Sequence, residues 1–236
     1  MRGTFVTGTG TEVGKTVVAA VIARTARAAG ARVAVFKPAV SGLDDYRVRP
    51  EAWEYAADLP DHVLLRLASG SMQSDDEIAP YRFGPAVSPH FAAELTGEPI
   101  DPDRLRGAAL AVTEGSDVLV CEGVGGLLVP LTPGYLVRDL ARDLGMPVTV
   151  IAPPGLGTIN HTLLTIEAAR GAGLEVAKVV LNPWPEGPSQ LELSNLETIA
   201  RLGAVTVETL AHLELNRPER WPALPLSGPE RRLRAA

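Results

Sequence analysis

Cysteine is all but missing from the 236 residues: Cys121 stands alone, so the chain cannot close an internal disulfide or build a thiolate metal cluster. The four histidines, His62, His90, His161 and His212, are scattered and never take the paired spacing of metal ligands, which argues against a zinc site. Positive charge is in deficit. The formal net charge of −6 leaves no basic field with which to hold a nucleic-acid backbone, so no nucleic-acid partner is expected. No stretch of about 18 apolar residues occurs, and the opening MRGTFVTGTG holds no apolar run long enough for a secretory signal. The chain therefore reads as cytoplasmic, with no membrane partner. Lysine is scarcest of the charged types, with Lys15, Lys37 and Lys178 among 22 cationic residues. Arginine serves wherever ordinary surface charge will do, so the lysines ask for a reason. An ammonium is a compact point charge that fits beside phosphate oxygens where a planar guanidinium is too large.

What the sequence does have is rhythm. Apolar runs rich in β-branched residues, expected as strands over 3–8, 32–37, 117–122, 147–152, 175–182 and 204–208, alternate with stretches of helical period over 15–29, 51–68, 102–114, 136–144, 159–172 and 191–202. That is the pattern of an α/β fold, a parallel sheet with helices on both faces. Gly30, Gly145, Gly173 and Gly203 each follow a helical stretch, where a left-handed cap is wanted. Two regions break the alternation. Residues 69–102 hold five prolines and predict an irregular excursion with one short strand near 81–83 and a helix after Pro89. Residues 216–236, with Pro218, Pro222, Pro225, Pro229 and an Arg-rich end, predict a loosely held tail outside a single domain spanning 1–215.

The sharpest motif is Thr7-Gly8-Thr9-Gly10-Thr11-Glu12-Val13-Gly14-Lys15-Thr16, straight after the first strand and opening the first helix. Gly14-Lys15-Thr16 has the chemistry of a phosphate loop: backbone N–H groups and a helix N-terminus face the phosphates, Lys15 reaches the terminal ones, and the Thr16 hydroxyl ligates magnesium. Strict spacing would put glycine at position 9, where this chain has Thr9. A magnesium nucleotide needs a second anchor, a carboxylate at the end of a neighbouring strand. Val118 to Glu122 supplies it, followed by Gly123-Val124-Gly125-Gly126, where missing side chains let the backbone approach a charged ligand. Cys121, one residue earlier, should face the other way into the core. Lys37 ends the second strand at the same carboxyl edge, placed with Lys15 to flank a transferring phosphoryl group.

Taken in order, TGTGTEVGKT, KPAVSG, PYRF with SPH, CEGVGGLLVPL and LGTINHTLLT resemble the dethiobiotin synthetase family, over residues 7–182. The resemblance implies a P-loop NTPase-type fold, a homodimer, and an ATP- and Mg2+-dependent closure of a ureido ring on 7,8-diaminononanoate with CO2, through a carbamate and a carbamic-phosphoric anhydride. Carried over by motif, Glu12, Val13, Gly14, Lys15, Thr16 and Val17 would contact the phosphates, and Thr16, Asp61 and Glu122 would hold magnesium, with Asp58 only three residues from Asp61. Glu122, Gly123, Val124 and Gly125 would line the nucleotide, with Asn182, Pro183, Glu208, Thr209 and Leu210 towards its base. Lys37 and Lys15 would be catalytic, and Thr11 and Ser41 would contact substrate. Gly157, Thr158, Ile159 and Asn160 would bind the substrate carboxylate across the dimer. The family's usual Gly-x-Ile-Pro turn is replaced here by Val207-Glu208-Thr209-Leu210. Positioning switches of the Min and Par type share the fold, but carry a lysine where this chain has Thr9.

Overall fold

A computed structural model describes residues 2–47 and 49–227. Its strands are β1 (Arg2–Gly8), β2 (Val33–Phe36), β3 (Val118–Gly126), β4 (Pro130–Thr132), β5 (Tyr135–Leu136), β6 (Val148–Ala152), β7 (Val176–Trp184) and β8 (Val207–Ala211). Six of them form one parallel sheet in the order β2-β3-β1-β6-β7-β8, while β4 and β5 make a small antiparallel hairpin. The helices are α1 (Lys15–Ala28), α2 (Asp61–Ser69), α3 (Asp75–Ile78), α4 (Pro89–Thr96), α5 (Pro102–Ala111), α6 (Val137–Asp143), α7 (Thr158–Gly171) and α8 (Gln190–Gly203). Strand alternation splits the core into two layers. Phe5, Phe36, Leu119 and Cys121 pack with α4 to α8 on one face, and Val6, Val35, Val120 and Val180 with α1 and α2 on the other. Among the described residues no helix is long and apolar enough to cross a membrane.

The helix expected over 51–68 is broken. A 3-10 helix covers Trp53–Asp58, Leu59 is extended, and α2 starts only at Asp61. Pro60 is the cause, because its ring pushes the preceding residue out of the helical region while suiting a helix start. The break delivers Asp61 to the first turn of a helix instead of its interior. The strand expected near 81–83 shrinks to one bridge between Val40 and Arg82. The last strand lies later than the expected 204–208, at Val207–Ala211, and the left-handed cap of α8 is Ala204, not Gly203. Gly203 is small for another reason: a Cβ there would press on Ile166 at 3.0 Å, where α7 and α8 meet.

Of the tail expected over 216–236, residues 228–236 with Pro229 and the Arg-rich end lie outside the described residues, while residues 216–227 are tied to the domain and not loose. Lys178, wholly buried on the α1 side of the sheet, pairs with Glu208 at 2.9 Å and donates to the Pro225 carbonyl at 2.7 Å. Thr25 accepts from the Leu224 N–H at 3.0 Å, Arg24 donates to the Pro218 carbonyl at 2.8 Å, and the Leu224 side chain is buried in the second core layer. Proline-rich chain can dock when its carbonyls meet donors already fixed on a helix and a strand. Leu224→Ala should therefore cost about 2 kcal/mol and lower the melting temperature by about 4–8 °C, read by calorimetric melting. An unchanged melting temperature would mean the tail adds nothing to the core.

Candidate active site

The loop between β1 and α1 enters its helix through Gly14, whose φ of 87° is left-handed and which offers no side-chain cap. The first-turn N–H groups of α1 are left facing outward, a ready anion site. Lys15, nearly buried, curls back to donate to the Gly10 carbonyl at 2.7 Å. Burial lowers its pKa, and the Lys37 charge adds to that, against the pull of Glu122 and Asp61.

Sheet register brings the other groups to this point. Phe36 pairs with Cys121 and Val6 with Glu122, so Lys37, one step past Phe36, arrives opposite Glu122 at the carboxyl edge. The Lys37 ammonium lies 2.7 Å from Glu122 Oε1 and 2.5 Å from Asp61 Oδ2, and the Thr16 hydroxyl donates to Glu122 Oε1 at 2.9 Å. Asp61, and not Asp58, makes this contact. Burial alone would lower the Lys37 pKa, but Asp61 and Glu122 outweigh it and raise the pKa far beyond its ordinary value, so Lys37 stays cationic. Full burial pushes the Glu122 carboxyl up, against the Lys37 ammonium and the Thr16 hydroxyl, with Asp61 adding to the push. Burial also opposes ionisation of Asp61, yet Lys37, Thr16 and Lys15 together hold its carboxyl below the usual range.

A cleft of about 710 Å³ gathers Thr11, Glu12, Gly14, Lys15, Thr16 and Val17 with Lys37, Ser41, Asp61, Glu122, Val124 and Gly125. A second cleft of about 440 Å³ shares Glu12, Gly14 and Val17 with it and adds Asn182 and Pro183. Asn182 reaches the loop directly, donating from Nδ2 to the Val13 carbonyl at 3.2 Å. Magnesium fits this donor set. Thr16, Asp61 and Glu122 offer hard oxygen ligands, and Glu122 Oε2 is buried with no hydrogen-bond partner.

Other expected residues lie elsewhere. Glu208, Thr209 and Leu210 sit within β8, because that strand begins later than the sequence suggested. Glu208 is held by Lys178, Thr209 pairs with Leu181 in the sheet, and Leu210 is in the core. The second cleft takes instead His212, Leu213, Leu215 and Asn216, just after β8. Gly123 faces Phe5 and Val137 inside the fold, and Val13 packs against Gly8. Gly157, Thr158, Ile159 and Asn160 open α7 without lining either cleft. Sequence reasoning missed Tyr46, Ser88 and Pro89 in the first cleft and Glu54, Ala57 and Leu215 in the second. Only Ser88 and Pro89 carried a signal, as part of the SPH motif.

A family model described as an AAA domain matches residues 2–222. The ATP-dependent dethiobiotin synthetase BioD of Anaeromyxobacter dehalogenans (strain 2CP-C) is 44% identical over 203 residues, 86% of each chain. That of Bacillus subtilis (strain 168) is 35% identical over 207 residues, 88% of this chain and 85% of the relative. Among solved structures, the Aquifex aeolicus MinC:MinD complex aligns at a TM-score of 0.55 and 12% identity, over 92% of this chain and 86% of that one. A ParA family ATPase from Chlorobium tepidum aligns at 0.54 and 11%, over 92% and 88%. At such identity these two share the fold, a P-loop NTPase-type sheet, and no more. The two synthetases match most of the chain at far higher identity, and on that ground the chain belongs to the ATP-dependent dethiobiotin synthetase family.

Proposed function

We propose that the chain closes the ureido ring of dethiobiotin from 7,8-diaminononanoate, CO2 and ATP, releasing ADP and phosphate. The observation that carries this reading is the Lys37 ammonium, fixed between Asp61 and Glu122 within the cleft that the phosphate loop opens onto. In the proposed sequence one substrate amine adds to CO2 and loses a proton, giving a carbamate. A carbamate oxygen attacks the terminal phosphorus, the bond to the bridging oxygen breaks, and ADP leaves. The second amine then attacks the carbonyl carbon of the mixed anhydride, the urea forms, and phosphate departs.

Carbamate and triphosphate are both anionic, so their approach is the difficulty. Lys37 and Lys15 offset the repulsion within the cleft, and the N–H groups opening α1 receive phosphate oxygens. Lys37 acts as a permanent cation and transfers no proton, in keeping with its raised pKa. Thr16, Asp61 and Glu122 would hold magnesium, which supplies charge neutralisation on the phosphates when bound. Thr11 and Ser41 lie in the cleft where the diamine would be received. In this reading a homodimer completes the site, with Gly157, Thr158, Ile159 and Asn160 presenting the N–H groups of α7 to the substrate carboxylate of the neighbouring subunit.

Phosphate release from magnesium ATP should require both the diamine and bicarbonate. Release that is indifferent to the diamine would overturn the reading and favour a nucleotide-driven switch.

A further inference from the structure

Two walls of the second cleft are built from irregular chain. One is the 3-10 helix Trp53–Asp58, which brings Glu54 and Ala57 to the cleft. The other is the segment after β8, which brings Leu213 and Leu215. Ala57 and Leu215 also line the first cleft, so both walls border both clefts. Neither belongs to the sheet, and Ala57 is exposed. Ala56 seats the first wall in the second core layer and Leu213 and Leu215 pack the second against it, yet something further joins the two directly.

That something is a pair of indoles behind them. Trp221 meets Trp53 edge to face, with ring centroids 5.4 Å apart and planes at 89°. The Trp221 ring N–H donates to the Glu214 carbonyl at 3.1 Å, fixing the residue beside Leu215. On its other side Trp221 follows a 3-10 turn, Pro218–Arg220, whose first carbonyl accepts from Arg24, and three residues later Leu224 is tied to Thr25. Arg24 and Thr25 belong to α1, whose other end is the phosphate loop. A chain of contacts thus runs from the phosphate helix through the tail to Trp221 and across to Trp53 on its 3-10 helix.

We propose that Trp53 and Trp221 form a clasp that sets the spacing of the two cleft walls, making both tryptophans positioning residues for the nucleotide. The inference rests on the reading that this cleft takes ATP. Walls already held at the right separation spare the ligand the cost of ordering them, so the clasp acts on affinity and leaves the reacting groups at Lys37 untouched. Neither indole lines either cleft, so the effect passes through Leu215 and Ala57.

Steady-state kinetics with magnesium ATP, the diamine and bicarbonate test it. Trp221→Ala and Trp53→Ala should each raise the KM for ATP about five- to tenfold, with kcat within twofold of the wild type, as losing an edge-to-face aromatic pair would give. Trp221→Phe, which keeps the ring contact and loses the bond to Glu214, should recover part of the loss. The double variant should be no worse than the poorer single one, since either change alone opens the clasp. A KM within twofold of wild type in both alanine variants overturns the clasp, as does a fall in kcat at unchanged KM. Should Trp221→Ala fail to fold, Trp53→Ala decides the matter from the opposite side of the contact. A wild-type chain that turns over no ATP would sink the functional reading itself, and the clasp with it.

Discussion

Replacing Lys37 by glutamine should lower turnover by about 10²-fold or more while changing the dissociation constant for magnesium ATP by less than about tenfold. The asymmetry follows from where the charge sits. Lys37 is only 4% exposed and touches Asp61 and Glu122, whereas the N–H groups that open α1 and the Lys15 ammonium are separate from it along the chain. Nucleotide binding keeps those contacts. In the proposed reaction the transferring phosphoryl group would lose the cation beside it, and an amide cannot replace a full charge in a buried site. Lys37→Arg should not rescue turnover, because the planar guanidinium needs room that a closely packed ammonium does not. Near-normal turnover of Lys37→Gln, measured beside calorimetric nucleotide binding, would remove Lys37 from the mechanism.

Removing one member of a buried ion pair costs about 3–5 kcal/mol when the partner charge is stranded. Here the strain can be relieved, since burial has already pushed the Glu122 carboxyl up and it can take a proton. The Lys37 pKa is raised, so its stabilisation is present at all ordinary pH and is lost only as pH rises through the folded value. Asp61 runs the other way. Its carboxyl is held down, so its share is present above the ordinary value of 3.8 and lost as pH falls through the lower folded value.

The parts of the site that lie within one motif were legible in the sequence. Gly14, Lys15 and Thr16 open α1, and Glu122 follows a β-branched run, because phosphate binding dictates residue types at fixed spacing. Asp61 was reachable only by family resemblance. No local pattern marks it, and Pro60, which places it at a helix start, reads equally as a break in a surface helix. The tail misled for a related reason. Four prolines suggest chain without partners, but through residue 227 the partners are Thr25, Arg24 and Lys178, distant in sequence. The sequence offers no role for Lys178, and its reason is that carbonyl at Pro225. The chain after the last strand that lines the second cleft begins at His212 and not at Glu208, Thr209 or Leu210, because strand ends are set by the neighbour they pair with. β8 follows β7 as far as the pairing of Trp184 with Ala211, further than its own apolar run suggests.

Gly14→Ala should weaken magnesium ATP binding by about 10²-fold or more, from two separable causes. First, φ is 87° at this position, and a residue with a Cβ loses roughly 1–2 kcal/mol in the left-handed region. Second, a Cβ built there falls onto the Asn182 side-chain amide. Asn182 would have to leave, breaking its 3.2 Å bond to the Val13 carbonyl and disturbing a contact that joins β7 to the phosphate loop. Both disturbances fall on the backbone that, in the proposed function, presents N–H groups to phosphate. The double variant Gly14→Ala/Asn182→Ala separates them, since it removes the collision and keeps the backbone conflict. It should bind about tenfold better than Gly14→Ala alone and still well below Asn182→Ala. Recovery to the level of Asn182→Ala would assign the whole effect to crowding. Wild-type affinity in Gly14→Ala would show that the loop before α1 does not receive the triphosphate.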